Sequence, residues 1–269
     1  MEHQYKVGFI GSGNMASAIS RRLIHSGTLK AQEVLMCDVN ESALKSFSEL
    51  GTAITTDAGE VAKNAQIVFL AVKPQSLSDV MTQLSGKWWC RTVISMLAGV
   101  KRQRIKELLN ASMPCVVRIM PNLACEHGKG VTLVEASDAP ATDRKMIYSL
   151  LNPLGLTVDL PEKQFNAGTA LSGCGPAFFY LIFGAFIDAG KKFGLDAEMV
   201  KKLVFATAEG SAKNIEMSSL PLDEMVSMVC SKGGATIEGV KILKEFDVPG
   251  TIRRSVAASK QKSDKLENA

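Results

Sequence analysis

A short apolar run, Val7-Gly8-Phe9-Ile10, leads directly into Gly11-Ser12-Gly13-Asn14-Met15-Ala16. The second stretch fits the pattern G-x-G-x-x-A, and apolar residues at helical spacing follow it. In a strand–turn–helix unit, the first glycine permits a tight turn and the second lets the backbone approach a pyrophosphate. The helix N-terminus then faces the phosphates. The motif predicts a dinucleotide-binding unit at the start of the chain, with a purely structural turn as the alternative.

Further apolar runs at 34–37, 67–72, 92–95 and 115–120 alternate with helical patterns. This alternation predicts an α/β fold with a parallel, doubly wound sheet of the Rossmann type. Ligands of such sheets bind at the carboxyl ends of the strands. The candidate cofactor-binding residues at that edge are Gly11, Ser12, Gly13, Asn14, Met15, Asp38, Ala71, Lys73, Pro74, Ser95 and Asn122.

Asp38 directly follows the second apolar run. An acidic residue at this position hydrogen-bonds the adenosine ribose, and its charge repels the extra phosphate of NADP(H). Asp38 therefore favours NADH over NADPH. A role as the N-cap of the next helix is the alternative, and both roles can hold together.

The chain has 269 residues, of which 46% are apolar and 22% charged, enough for one large or two modest domains. Its net charge of +4 is scattered, and no basic stripe indicates a nucleic-acid partner. The densest basic cluster, 101–104, is expected to be a solvated helix face.

The longest apolar stretch, 176–187, is shorter than the roughly 20 residues that span a bilayer. The polar start of the chain is unlike a signal peptide. The 6 cysteines form no C-x-x-C pair, so reduced thiols and no metal site are expected. These features predict a cytoplasmic protein with no membrane segment.

After about residue 165 the strand patterns stop and helical ones take over. We therefore expect a Rossmann domain at 1–164 and an all-α domain at 165–269, with a frayed tail from residue 260. The helix that starts at Gly175-Pro176 is apolar on nearly every side, so it should be buried on nearly every side. In so small a helical domain this predicts that a partner chain completes the core, as in a homodimer.

A second glycine-containing stretch is Cys230-Ser231-Lys232-Gly233-Gly234-Ala235-Thr236-Ile237. Two glycines before a helix leave backbone N–H groups that, with the Ser231 hydroxyl, can bind an anion such as a carboxylate. Thr236 lies in the first turn and directs its hydroxyl toward the same place. A capped helix start is the alternative, and the spacing alone does not separate the two.

Six stretches together carry a family resemblance: GFIGSGNMASAI at 8–19, FLAVKPQ at 69–75, SMLAGV at 95–100, RIMPN at 118–122, ALSGCGPAFFY at 170–180 and LDEMVSMVCSKGGATIEGVKIL at 222–243. With these motifs the chain resembles the pyrroline-5-carboxylate reductase family over nearly its whole length. The last stretch is the most specific of the six.

The resemblance implies that a hydride passes from NAD(P)H to the C=N carbon of 1-pyrroline-5-carboxylate, which gives L-proline. It also implies a C-terminal domain that dimerises, with dimers that often assemble further. The residues that it assigns to the substrate carboxylate and ring nitrogen are Ser231, Gly233, Gly234 and Thr236, with Lys232 beside them. Thr236 is the catalytic candidate, because it would donate a hydrogen bond near the nitrogen.

Several positions depart from the family's usual pattern. Asp38 replaces a small polar residue, which favours NADH, and Lys232 replaces a proline beside the anion site. The segments 96–97 and 123–125 also differ, near the expected nicotinamide. These departures leave open a divergent reductase of another cyclic imine.

Two more distant alternatives remain. A β-hydroxyacid dehydrogenase-like enzyme has a similar domain order but needs a lysine in its second domain, for which Lys213 is the candidate. A dinucleotide-binding regulatory protein without turnover is the other. Substrate-dependent oxidation of the reduced cofactor separates the enzymes from the binding protein.

Overall fold

The computed structural model describes residues 3–109 and 114–267. The chain forms two compact units: a sheet unit, which runs to Cys174 and takes in the segment from Ser259, and a helical unit, Gly175–Ala258. The expected boundary after residue 164 falls inside a helix of the sheet unit, Glu162–Gly168. Phe165 of that helix is fully buried, which places this segment in the core of the sheet unit.

The strands are β1 (Tyr5–Ile10), β2 (Val34–Cys37), β3 (Ala53–Thr55), β4 (Ala65–Leu70), β5 (Thr92–Ser95), β6 (Cys115–Pro121), β7 (Gly130–Glu135) and β8 (Gly155–Asp159). Within the described residues they form one 8-stranded sheet in the order β3-β2-β1-β4-β5-β6-β7-β8. The strands from β3 to β6 in this order are all parallel. Their carboxyl ends therefore share one edge of the sheet.

Helices cover both faces of the sheet, as the predicted doubly wound fold requires. They are α1 (Asn14–His25), α2 (Glu41–Glu49), α3 (Ala58–Asn64), α4 (Leu77–Gln83), α5 (Arg102–Leu109), α6 (Ala141–Leu151) and α7 (Glu162–Gly168). Helices α1, α2 and α6 contribute to one apolar cluster and α3, α4 and α5 to another. Phe9 and Phe69 stack in the first cluster with ring centroids 4.7 Å apart. The strands between the clusters are largely apolar because both of their faces are buried.

Two features of the sheet were not predicted. β3 is three residues long and only half-buried, so its apolar pattern is too weak to detect. β7 pairs antiparallel with β6, although the other neighbouring strands are parallel. A short connection, 122–129, joins β6 to β7, whereas a parallel pair needs a longer crossover.

The helical unit contains α8 (Gly175–Lys192), α9 (Ala197–Met217), α10 (Leu222–Met228) and α11 (Ala235–Glu245), and most of α12 (Val248–Glu267). Asp196 is the N-cap of α9, and its side chain accepts hydrogen bonds from the N–H groups of Glu198 and Met199. α8 is not buried on nearly every side in the single chain. Phe179, Leu181 and Phe186 are more than half exposed.

The end of α12 belongs to the sheet unit and is not frayed up to Glu267, the last described residue. The Arg118 guanidinium, which is fully buried in β6, donates to Glu267 Oε1 at 2.8 Å and to Glu162 Oε1 at 3.2 Å. It also lies 4.5 Å from the ring centroid of Phe165. Asn166 adds a hydrogen bond to Glu267 Oε2 at 3.0 Å. These contacts order a segment whose polar composition had predicted fraying.

Two further expectations need correction. Arg102, in the basic cluster at 101–104, is mostly buried and pairs with Glu135 at 2.7 Å and with Asp138, so it is not a solvated residue. The described chain also contains one helical run, Glu162–Lys192, that is long and apolar enough to cross a membrane by length and composition. This run is longer than the apolar stretch at 176–187 because α7 and the π-helical turn Thr169–Gly173 continue it.

Candidate functional site

The loop between β1 and α1 is held tightly at one glycine and left open at the other. Gly11 has φ +101°, and a Cβ there would lie 2.6 Å from the Ala71 carbonyl oxygen. A side chain is therefore excluded both by backbone conformation and by space. Gly13 has φ −63°, and a Cβ built on it would meet no described atom within 4 Å. The space over Gly13 is open for a ligand to approach the backbone.

The N-terminus of α1 fits a pyrophosphate. Gly13 is its N-cap, no described side chain caps it, and its first turn contains no acidic residue. Asn14 is exposed there, whereas Met15 packs against the core. Unpaired N–H groups and the helix dipole favour a negative charge at such a terminus. The loop also follows β1, beside which the strand order reverses, and ligands of open α/β sheets bind at that point.

The parallel strands bring the candidate cofactor residues to one edge of the sheet unit. Asp38 follows β2, Ala71 to Pro74 follow β4, Ser95 ends β5, and Asn122 follows β6. Main-chain bonds hold these strand ends in register: Gly11 N–H donates to the Cys37 carbonyl and Ala71 N–H to the Ile10 carbonyl, each at 2.8 Å. Lys73 and Pro74 are exposed, and Pro74 begins a 3₁₀ turn.

Ser95 and Asn122 are directed into the protein. Ser95 is fully buried, and its hydroxyl lies 3.5 Å from the Leu97 nitrogen. The Asn122 Nδ2 group donates to the Ser172 carbonyl at 2.9 Å, and Oδ1 accepts from Val131 N–H at 3.3 Å. These bonds connect the end of β6 to β7 and to the π-helical turn. The side chain of Asn122 therefore has a structural role that the sequence did not indicate.

Asp38 is bound to the phosphate-loop candidate Ser12. Its Oδ2 accepts the N–H and the hydroxyl of Ser12, each at 2.8 Å, and its Oδ1 accepts Asn40 N–H at 3.0 Å. Burial acts to raise the pKa of the Asp38 carboxyl, but the hydrogen bonds from Asn40 and Ser12 outweigh it and hold the pKa below its ordinary value. The helix after Asp38 is capped by Asn40, which accepts from Ser42 N–H, so the N-cap alternative for Asp38 is wrong.

The second glycine-containing loop lies between α10 and α11 of the helical unit. Gly233 has φ +72°, and Gly234 N–H donates to the Ser231 carbonyl at 3.0 Å. A Cβ on Gly234 would collide with Ser231 Oγ, so position 234 admits no side chain without a shift. Gly234 is the N-cap of α11, and no described side chain caps the helix.

Ser231, Lys232 and Thr236 are all exposed in this loop. Their groups and the backbone N–H groups at the start of α11 are thus open to an anion within the helical unit. The alternative catalytic lysine has a different environment. Lys213 lies on α9, is exposed, and pairs with Glu216 one turn away, at 2.9 Å between Nζ and Oε2.

Comparison with known proteins identifies the family. A model described as pyrroline-5-carboxylate reductase dimerisation matches residues 162–266. A second, described as NADP oxidoreductase coenzyme F420-dependent, matches residues 6–99.

Full-length relatives match both units. The pyrroline-5-carboxylate reductase of Staphylococcus aureus (strain COL) is 34% identical over 271 residues, which cover 98% of each chain. Pyrroline-5-carboxylate reductase 3 of Danio rerio is 32% identical and covers 98% of this chain and 92% of its own. The crystal structure of the Plasmodium falciparum pyrroline carboxylate reductase with NADP bound matches with a TM-score of 0.91 at 27% identity, over 99% of this chain and 100% of that one. The chain therefore belongs to the pyrroline-5-carboxylate reductase family.

Proposed function

We propose that this protein reduces the C=N bond of 1-pyrroline-5-carboxylate to give L-proline. Full-length similarity to named reductases supports this activity, and the open loop at 231–236 is the structural observation that carries it. A protonated cyclic imine is already electrophilic, so the reaction needs positioning more than a strong acid.

Two loops of the chain bind the two reactants, one the dinucleotide and the other the imine. The β1–α1 loop binds the dinucleotide pyrophosphate through the backbone around Gly13 and the N-terminus of α1. NAD(P)H supplies the hydride when it is bound. Ser231 binds the substrate carboxylate through its hydroxyl and Gly233 through its backbone N–H, and Lys232 adds a positive charge beside them. Gly234 shapes this loop by donating its N–H to the Ser231 carbonyl. The Thr236 hydroxyl accepts a hydrogen bond from the N–H of the protonated ring nitrogen and holds the imine in position.

Asp38 gives the site a preference for NADH over NADPH. Its carboxyl has a lowered pKa and is therefore ionised at neutral pH. A fixed negative charge beside the β1–α1 loop disfavours the ribose phosphate of NADPH.

A second copy of the chain covers the helical unit in a homodimer. The apolar side chains of α8 that are exposed in one chain lie within the region matched by the dimerisation model. Monomeric soluble proteins rarely expose apolar patches of this extent. The same contact accounts for the apolar run Glu162–Lys192, so we propose no membrane role and place the enzyme in the cytoplasm. A measurement of molar mass in solution reports whether dimers assemble further.

The test is turnover of 1-pyrroline-5-carboxylate by the purified protein, followed by cofactor absorbance with NADH and NADPH in parallel. We expect turnover with both and a higher specificity constant with NADH. Thr236→Ala should lower turnover by about 100-fold without changing dinucleotide affinity. Binding of dinucleotide without any turnover would contradict the reductase assignment and favour another imine or a binding protein.

A further inference from the structure

Asp38 has little acceptor capacity left for a ribose. A carboxylate offers about four lone-pair positions. Three are used within the chain, two by Ser12 and one by Asn40. An acidic residue that recognises a ribose by hydrogen bonding needs free carboxylate oxygens to accept from the ribose hydroxyl groups. The arrangement leaves Asp38 its charge but occupies most of its hydrogen-bonding positions.

Ser12 is buried, so its two bonds to Asp38 fix the carboxylate firmly. The two residues are 26 positions apart in sequence but follow neighbouring strands, β1 and β2. Ser12 also lies between the two glycines of the β1–α1 loop. Since its N–H and hydroxyl both donate to Asp38, they are not available to a pyrophosphate.

We propose that Ser12 is a specificity-determining residue, whose hydroxyl holds the Asp38 carboxylate where it discriminates NADH from NADPH by charge repulsion, with little hydrogen bonding to the ribose. This inference rests on the NADH preference proposed above and adds its mechanism. Ser12 acts through Asp38 and is thus a positioning residue. Repulsion by a fixed charge weakens NADPH binding selectively, whereas hydrogen bonding to the ribose would strengthen binding of NADH.

The two mechanisms predict opposite outcomes for Asp38→Asn. This variant keeps the size of the side chain and an acceptor for Ser12 but removes the charge. If charge repulsion separates the two cofactors, the affinity for NADPH should rise by about tenfold, which corresponds to about 1.4 kcal/mol. The affinity for NADH should change little. If ribose hydrogen bonds discriminate, NADH affinity falls and NADPH gains little. Added salt should also improve NADPH binding to the wild-type protein more than to Asp38→Asn, since screening weakens the repulsion.

Ser12→Ala removes the hydroxyl and keeps the backbone N–H. We expect its ratio of NADPH to NADH dissociation constants to move toward that of Asp38→Asn, by about threefold, as for the loss of one ordinary hydrogen bond. Ser12→Thr retains a hydroxyl and should restore the wild-type ratio. In the Asp38→Asn background, Ser12→Ala should have almost no further effect on the ratio, because the charge that it positions is gone.

The experiment is titration of the purified full-length protein with NADH and with NADPH, in the absence of any imine, with thermal unfolding as a check that each variant folds. An unchanged ratio in Ser12→Ala, or a loss of NADH affinity in Asp38→Asn, would overturn the proposal. If Ser12→Ala did not fold, the Asp38→Asn titration and the salt series would still decide between charge and hydrogen bonding. No substrate is present, so failure of the reductase assignment would appear only in the turnover assay.

Discussion

The sheet unit buries its apolar core within a single chain, whereas the helical unit exposes much of its apolar surface. Phe9, Phe69 and Phe165 are fully buried in the sheet unit. Among residues 175–258, all of them described, Val200 is the only apolar side chain that is fully buried by the same measure. Since burial of apolar surface is the main favourable term in folding, the proposed homodimer would supply the surface that covers the helical unit. The sheet unit therefore buries its core within one chain, whereas burial of the apolar surface of the helical unit is expected only in the proposed dimer.

The two glycine-containing loops show the same contrast on a smaller scale. The β1–α1 loop is fixed by its neighbours, with Gly11 against Ala71 and Ser12 bonded to Asp38. The loop at 231–236 is fixed mainly by Ser231 and Gly234 within the loop itself, and its side chains are exposed. The β1–α1 loop, the proposed cofactor loop, is therefore held by contacts within its unit. The loop at 231–236, the proposed substrate loop, belongs to the unit whose apolar surface is exposed in one chain.

Phe186→Glu should produce the largest effect, because it places a charge on the exposed apolar face of α8. Phe186 is 61% exposed in the single chain. If a second copy covers it, burial of an unpaired carboxylate should cost about 3 kcal/mol or more, which weakens the dimer more than 100-fold and abolishes turnover. Light scattering after size-exclusion chromatography and the turnover assay measure the two effects.

Lys213→Ala is the matched control on α9. Lys213 is exposed and makes one surface ion pair, so its loss should leave both dimer and turnover unchanged. Lost turnover in this variant would show that the loss in Phe186→Glu is not specific to the apolar face of α8. A fully dimeric, active Phe186→Glu variant would contradict the contrast between the two units.

Most of the fold could be predicted because its signals are local. The β1–α1 turn, the apolar strands and the Asp196 cap each depend on neighbouring residues. The errors concern contacts between distant residues. Arg118 and Glu267 are 149 positions apart, and nothing in the polar tail indicates that a buried guanidinium orders it.

In the candidate site too, local features could be predicted from the sequence and contacts between distant residues could not. The glycine spacing predicted both loops correctly as turns before helices. The bonds that occupy Asp38 and Asn122 join strand ends that meet only in the folded sheet, so no sequence pattern shows them. The assignment of individual residues to cofactor and substrate stays a prediction for the experiments above.

Arg118→Met should have the next largest effect, on the stability of the sheet unit. It removes the guanidinium from Glu162 and Glu267 and leaves two carboxylates partly buried, with an expected loss of about 3 kcal/mol in the free energy of unfolding. Urea unfolding measures this loss, and hydrogen exchange should quicken at 259–267. Arg104→Ala, which removes an exposed pair with Glu107 at 3.7 Å, should cost less than about 1 kcal/mol. Equal losses in the two variants would show that the buried pair does not hold the end of α12.

Gly234→Ala tests the substrate loop. The added methyl group collides with Ser231 Oγ and displaces the hydroxyl proposed to bind the carboxylate. We expect kcat/KM for the imine to fall by about 100-fold, as for a misplacement of about 1 Å, with dinucleotide affinity unchanged. Gly239→Ala in the same helix meets no described atom within 4 Å of its Cβ and should retain turnover. If Gly234→Ala were as active as this control, the loop would not position the substrate.

The single variants Gly11→Ala and Gly13→Ala are a pair that tests the β1–α1 loop. We expect their effects on the free energy of unfolding to be the smallest of those considered. Gly11→Ala forces a left-handed residue against the Ala71 carbonyl, which should cost about 2 kcal/mol of stability and weaken dinucleotide binding as well. Gly13→Ala has an allowed φ and free space, so its melting temperature should stay near the wild-type value while dinucleotide affinity falls. Binding loss without stability loss at Gly13 would locate the ligand in the open space over that residue. If Gly13→Ala left the dinucleotide affinity unchanged, the glycine would be needed only for the conformation of the turn. The pyrophosphate would then have to bind elsewhere along the edge of the sheet.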